Sequence, residues 1–350
     1  MSGVFLDWAS TSPIVRFPVD TSKQWRNPNA AYAYEERKVL MDCEERIKAA
    51  IGAKSGHVLY FRCATDALEW LHSQTVDVYG LTWWAHSPYE HDAAVFGIES
   101  KPDELVGADF YCHQLVNQIT GEIHDIKSVH EKLLQYDDVP FLICDCTAAI
   151  HHVSLKAFKV CQYAACICMS GHKLGCPDIA FMWIDDRLFN WLGGGKDVRN
   201  QWGLKHGSIS VGHVLALADA VEWACDSKRL NDMNNWYLRL FDYLCCGLKK
   251  TDIDFSVIAD MCPSTCAINA IRLNGLNADS LQQYCASKGV YIGVGGSSCN
   301  AAGDFRVLNA YGLINTEAAE VIRVSFGGGT TKDDVDSLVS AIVEYKQKYC

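Results

Sequence analysis

Met169-Ser170-Gly171-His172-Lys173-Leu174-Gly175-Cys176-Pro177 lies between two apolar runs, one just before it and Ile179-Ala180-Phe181-Met182-Trp183-Ile184 after it. Apolar runs with no polar alternation read as strands covered on both faces. The turn between them carries Lys173 into a dry setting, where desolvation penalises the ammonium and leaves an amine nucleophilic enough to form an imine. Ser170 and His172 beside it can reach a phosphate. The alternative is a solvated turn lysine, and so short a pattern does not separate the two by itself.

Outward from this turn the same logic repeats. Val58-Leu59-Tyr60-Phe61, Leu81-Thr82-Trp83-Trp84 and Phe141-Leu142-Ile143-Cys144 are further strand-like runs separated by helical stretches, which predicts an α/β fold with a mostly parallel sheet. Asp145 closes the run from Phe141, at the strand end where open α/β sheets bind their ligands. There a carboxylate can pair with a protonated pyridine nitrogen, or cap a helix that Thr147 begins. Cys63-Ala64-Thr65-Asp66, between a strand and the helical Ala67 to His72, offers a hydroxyl and free N–H groups to an anion, with plain capping as the alternative. One long helical pattern is expected from about Val211 to Leu248, with Asp219, Glu222 and Asp226 on its polar side. A second domain then begins: Cys266 to Leu273 alternates, Asp279 to Lys288 is helical, Val290 to Val294 is a strand, and Asp333 to Tyr349 is an amphipathic helix.

The bulk numbers narrow the classes. With 350 residues, 49% of them hydrophobic, the chain can fill a large core and a smaller companion. A net charge of −11 argues against nucleic acid or an anionic membrane as partner. No run resembles a membrane span of about 20 apolar residues, so a cytoplasmic protein is expected. The 17 cysteines are scattered through apolar runs, as reduced, buried thiols are. Cys166, Cys168 and His172 lack the second ligand pair of a zinc site, and no metal is expected.

In order and spacing these motifs resemble the cysteine desulfurases of the aminotransferase class V family, over nearly the whole chain. Phe5-Leu6-Asp7-Trp8-Ala9-Ser10-Thr11-Ser12-Pro13 is similar to the family's opening, Asn27-Pro28-Asn29 to its Asn-Pro turn, and Val116-Asn117-Gln118-Ile119-Thr120-Gly121-Glu122-Ile123 to its Asn-rich turn. The resemblance implies the type I fold of pyridoxal 5'-phosphate (PLP) enzymes, with a seven-stranded, mostly parallel sheet. A large cofactor-binding domain would span 14–235, and a small α+β domain 1–13 and 236–350. It implies that Lys173 holds PLP as a Schiff base and that Ala64, Thr65, Ser170 and His172 surround the phosphate end. His91 of Glu90-His91 would stack on the ring and shuttle protons, and Asp145 would face the ring nitrogen. In Gly193-Gly194-Gly195 followed by His206-Gly207-Ser208, the Ser208 hydroxyl would reach the phosphate of a neighbouring subunit, which implies a homodimer. Gly295-Gly296-Ser297-Ser298-Cys299 resembles the loop of the sulfur-accepting cysteine. Val321-Ile322-Arg323-Val324-Ser325-Phe326-Gly327 resembles the strand whose arginine clamps the substrate carboxylate through a bidentate pair.

The resemblance implies a reaction as well. Lys173, helped by His91, would move the α-proton of L-cysteine. Cys299, as thiolate, would take the sulfur as a persulfide, leave alanine, and hand the sulfur to an acceptor such as an iron–sulfur scaffold or a sulfur carrier. The sequence departs from the family at Cys63, which stands at the phosphate-loop glycine, at Gln118, in place of an asparagine that touches the cofactor's phenolic oxygen, and at Ala148, in place of a glutamine. Gln118, one methylene longer, is expected to supply the hydrogen bond missing at Ala148. A selenocysteine lyase, a cysteine lyase or an aminotransferase of the same family would not need Cys299. A non-catalytic scaffold of the same fold would need none of Lys173, His91, Asp145 and Arg323.

Overall fold

The run from Cys166 and the run ending at Ile184 become neighbouring inner strands, each buried along its whole length. The computed structural model describes residues 3–79, 82–295 and 305–349. Its strands are, in chain order, β1 (Val4–Leu6), β2 (His57–Phe61), β3 (Trp84–His86), β4 (Ile98–Glu99), β5 (Phe110–Cys112), β6 (Phe141–Asp145), β7 (Cys166–Ser170), β8 (Ala180–Ile184), β9 (Phe255–Val257), β10 (Ile268–Leu273), β11 (Val290–Val294) and β12 (Val321–Ser325). The chain separates into two units, one of Ile14–Leu115 and Asp125–Leu230, the other of Met1–Pro13, Val116–His124 and Asn231–Cys350.

In the first unit seven strands form one sheet in the order β2-β8-β7-β6-β5-β3-β4. Pairing is parallel from β7 through β4, and β8 runs antiparallel to both of its neighbours. β2, β3, β5, β6 and β7 therefore point the same way, and their carboxyl ends open on one edge. Side chains such as Leu59, Phe110, Ile143, Cys166 and Met182 pack one face of the sheet against the helix Ala64–Tyr79. The strand expected to begin at Leu81 begins three residues later. Trp83 is 57% exposed and spends its N–H on Asp109 Oδ2 at 2.8 Å, so ladder pairing starts at Trp84.

The single helix expected from Val211 to Leu248 is two helices, Val211–Ala224 and Ser227–Lys249. Asp226 makes the break: its Oδ1 accepts the Arg229 N–H at 2.7 Å and satisfies an orphan donor at the start of the second helix. On the first of the two, Asp219 and Glu222 form ion pairs with Arg46 from the helix Tyr34–Ile51.

In the second unit β1-β11-β12-β10-β9 form a sheet that is antiparallel except between β1 and β11. β12 is flanked on both sides, so Arg323 stands on an inner strand and not at an edge. Residues 116–124, counted by sequence with the large domain, group with this unit instead. They form a tight hairpin, bridged Val116 to Ile123, that adds Glu122 beside Ser264. The Asn117 carboxamide oxygen accepts the N–H groups of Ile119 and Thr120, and Gly121 closes the turn at φ +75°, where a Cβ would run into the Ile268 carbonyl. Ile119 then packs on Ala270, Leu308 and Val321. No helix among the described residues is long and apolar enough to cross a membrane.

Candidate active site

The shared carboxyl edge of β2, β3, β5, β6 and β7 collects most of the polar residues singled out by sequence. Lys173 leaves β7 in the 3-10 turn Gly171–Leu174 and is 8% exposed, so the solvated-lysine alternative does not hold. Asp145, also 8% exposed, is the last residue of β6, the strand beside β7, and sits in register with Cys168. Its Oδ1 accepts the Thr147 N–H at 2.8 Å and the Cys168 thiol at 3.6 Å. The segment after it forms turns rather than the helix that a capping role required, and no cation pairs with its carboxylate among the described residues.

Ser170 Oγ accepts the Ala64 N–H at 2.7 Å, which joins the end of β7 to the first residue of the helix Ala64–Tyr79 across β8. Thr65 comes next, half-buried. Cys63 caps this helix, its Sγ accepting the Asp66 N–H at 3.4 Å. His91 lies beyond β3, where its Nδ1 accepts the Ala93 N–H at 3.1 Å, and Glu90 beside it receives the Gln114 N–H. Burial, and after it the charge of Lys173, hold the His172 imidazole below its usual range. Ser208 is exposed and lines a pocket with Arg62, Asp66 and His213. Cys299 lies outside the described residues.

Arg323 and Gln118 come together in the second unit, each 2% exposed. Arg323 Nη1 donates to the Gln118 carbonyl at 3.2 Å and Nη2 to Asp7 Oδ1 at 2.7 Å. Among the described residues, Arg323 Nε and both amide atoms of Gln118 are buried without a hydrogen-bond partner. Sequence reasoning missed Asp7 as a partner of Arg323, although a buried guanidinium requires a counter-charge. It also passed over His151 and His152, whose buried rings lie 3.8 Å apart, tilted by 39°. Burial, followed by the charges of Arg229 and Lys173, brings His152 down to about 3, and burial likewise keeps His151 neutral.

This is an α/β protein with a buried lysine and a buried acid at the ligand-binding edge of a mixed sheet. The aminotransferase class-V model matches residues 108–338, and the chain belongs to that family of PLP enzymes. It is 22% identical over 392 residues to a cysteine desulfurase IscS of Methanosarcina thermophila, covering 99% of this chain and 92% of the relative. With a cysteine desulfurase IscS of a Shewanella species it shares 26% over 241 residues, which is 65% of this chain and 55% of that one. A solved NifS-like protein superposes with a TM-score of 0.80 at 18% identity, over 99% of this chain and all of the other.

The first unit fits the family's cofactor. The Asp145 carboxylate is buried without an ion pair among the described residues, as a partner for a protonated ring nitrogen must be. The Thr147 hydroxyl beside it is buried without a hydrogen-bond partner among the described residues. The helix Ala64–Tyr79 begins at the same edge and its dipole favours an anion there, although the Ala64, Asp66 and Ala67 N–H groups already donate to Ser170 Oγ, Cys63 Sγ and the Cys63 carbonyl.

Proposed function

We propose that the protein binds PLP through Lys173 and removes sulfur from L-cysteine, forming L-alanine and a persulfide on Cys299. The observation that carries the reading is the pair of buried groups, Lys173 and Asp145, at the carboxyl ends of two adjacent parallel strands. Ala64, Thr65, Ser170 and His172 would hold the phosphate end, joined by Ser208 of a second copy in a homodimer. The bound cofactor supplies an aldehyde that exchanges amines and a ring that draws electrons from the substrate's α-carbon.

The residues of this chain do the rest. Asp145 would keep the proton on the ring nitrogen, and burial strengthens that pairing. Lys173 Nζ, helped by His91, would take the α-proton and return one to carbon. Arg323 would hold the amino-acid carboxylate through paired N–H donors, and Gln118 would place its amide where the family's asparagine acts. The Cys299 thiolate would attack the substrate sulfur. A sulfur–sulfur bond forms, the carbon–sulfur bond breaks, and its electron pair is protonated at carbon to give alanine. An acceptor protein, such as an iron–sulfur scaffold, would then receive the sulfur.

The test is an absorbance spectrum of the PLP-loaded protein before and after L-cysteine, with alanine and sulfide measured. Lys173→Ala should lose the cofactor's visible band and both products, whereas Cys299→Ser should keep the band and lose the persulfide. Alanine formation that survives Cys299→Ser would redirect the reading to another class V activity, and a wild type with no cofactor band would overturn it.

A further inference from the structure

We infer that Asp7 is a positioning residue for Arg323, holding the guanidinium in the orientation that receives the amino-acid carboxylate. The inference rests on the function proposed above. Leu6, the last residue of β1, pairs with Ile292 on β11, and the next residue of β11, Gly293, pairs with Arg323 on β12. Asp7 and Arg323 therefore approach each other from the two strands flanking β11. Gly293 leaves their path open. A Cβ there would lie 2.8 Å from Arg323 Nε and 2.9 Å from Asp7 Oδ1.

The guanidinium side chain is 3% exposed and that of Asp7 21%. A cation so far from water must be paired, and two acceptors from separate segments, Asp7 and the Gln118 carbonyl, fix its planar fork in one orientation. The donors left over include Arg323 Nε and the neighbouring Gln118 amide, both buried without a partner among the described residues. Directed N–H donors of this kind recognise a carboxylate. Asp7 neutralises the cation as it aims it, so affinity for the substrate would come from geometry more than from net charge. Removing Asp7 has two opposite consequences. A freed guanidinium would turn and lose its alignment, and an unneutralised one would attract any anion more strongly. The positioning role predicts that the first dominates.

In the PLP-loaded enzyme, Asp7→Asn should raise KM for L-cysteine about five- to tenfold and leave kcat within about twofold, the mark of a contact equally strong in ground and transition states. A spectral titration with L-alanine should weaken by the same factor. Cysteamine, which lacks the carboxylate, should titrate unchanged. Asp7→Glu should recover part of the loss, and Asp7→Asn should add nothing in an Arg323→Lys background, since Asp7 acts only through that side chain. Gly293→Ala, which pushes on the pair from below, should give the same KM effect and serves if Asp7→Asn does not fold. Unchanged or lowered KM, equal weakening toward cysteamine, or additivity with Arg323→Lys would each overturn the role. A wild type that fails to desulfurate L-cysteine sinks the functional reading instead, while the L-alanine and cysteamine titrations still report on Asp7.

Discussion

Replacing Glu122 with glutamine should flatten the acid limb of the protein's stability curve. Glu122 sits on the hairpin that carries Gln118. Its Oε2 accepts the Tyr311 hydroxyl at 2.5 Å and lies 3.7 Å from His124 Nε2. Burial by itself would raise the pKa of this carboxyl. The nearby His124 imidazole, the hydrogen bond from Tyr311 and the Cys262 thiol outweigh burial and bring it from 4.5 to about 2. A carboxyl depressed on folding stabilises the native state above its unfolded pKa and loses that contribution as pH falls toward the folded value. The interval of about 2.5 pH units, at about 1.36 kcal/mol each, amounts to about 3 kcal/mol, of which about 2 kcal/mol is gone by pH 3. Urea unfolding followed by tryptophan fluorescence from pH 7 to pH 3 measures it. The wild type should lose about 2 kcal/mol more than Glu122→Gln across that range. Equal losses would show that the network around Glu122 does not hold the hairpin.

Three other substitutions probe the remaining supports. Ser170→Ala removes the acceptor of the buried Ala64 N–H and should cost about 1–3 kcal/mol in urea unfolding, together with weaker retention of PLP on dialysis. Asp145→Asn keeps the shape and removes the charge; turnover of L-cysteine should fall by on the order of 10²-fold while the fold, followed by circular dichroism, stays intact. Gly121→Ala places a side chain at φ +75° against the Ile268 carbonyl and should destabilise by about 3 kcal/mol, read by urea unfolding.

How far the sequence carries depends on how local each determinant is. β2, β6, β7 and β8 are legible because a strand covered on both faces must be apolar throughout, and such runs stand out from their surroundings. β5 and β9, three residues each, are too short to show a period, and the two-residue β4 cannot show one. The break at Cys225–Asp226 escapes an apolar-pattern reading because both helices carry compatible stripes. The signal was the capping aspartate three residues ahead of Arg229. The hairpin at 116–124 looks like a loop until its backbone partners at Pro263 and Thr265 are seen, well over 100 residues away.

The site divides along the same line. Lys173 and Asp145 can be read because each comes directly after an apolar strand, and a turn or strand end in an α/β sheet is where polar groups meet a ligand. The hydrogen bond between Ser170 and Ala64 joins residues 106 apart, yet both belong to motifs that announce themselves locally. Asp7 and Arg323 are 316 residues apart, and nothing around either predicts the other. Physical chemistry supplies the missing step. Arg323 on an inner strand must find a counter-charge, and a glycine on the intervening strand marks where that charge can approach. A sequence search restricted to residues that could face Gly293 would therefore have reached Asp7, because β1 pairs in parallel with β11 and ends one residue short of it.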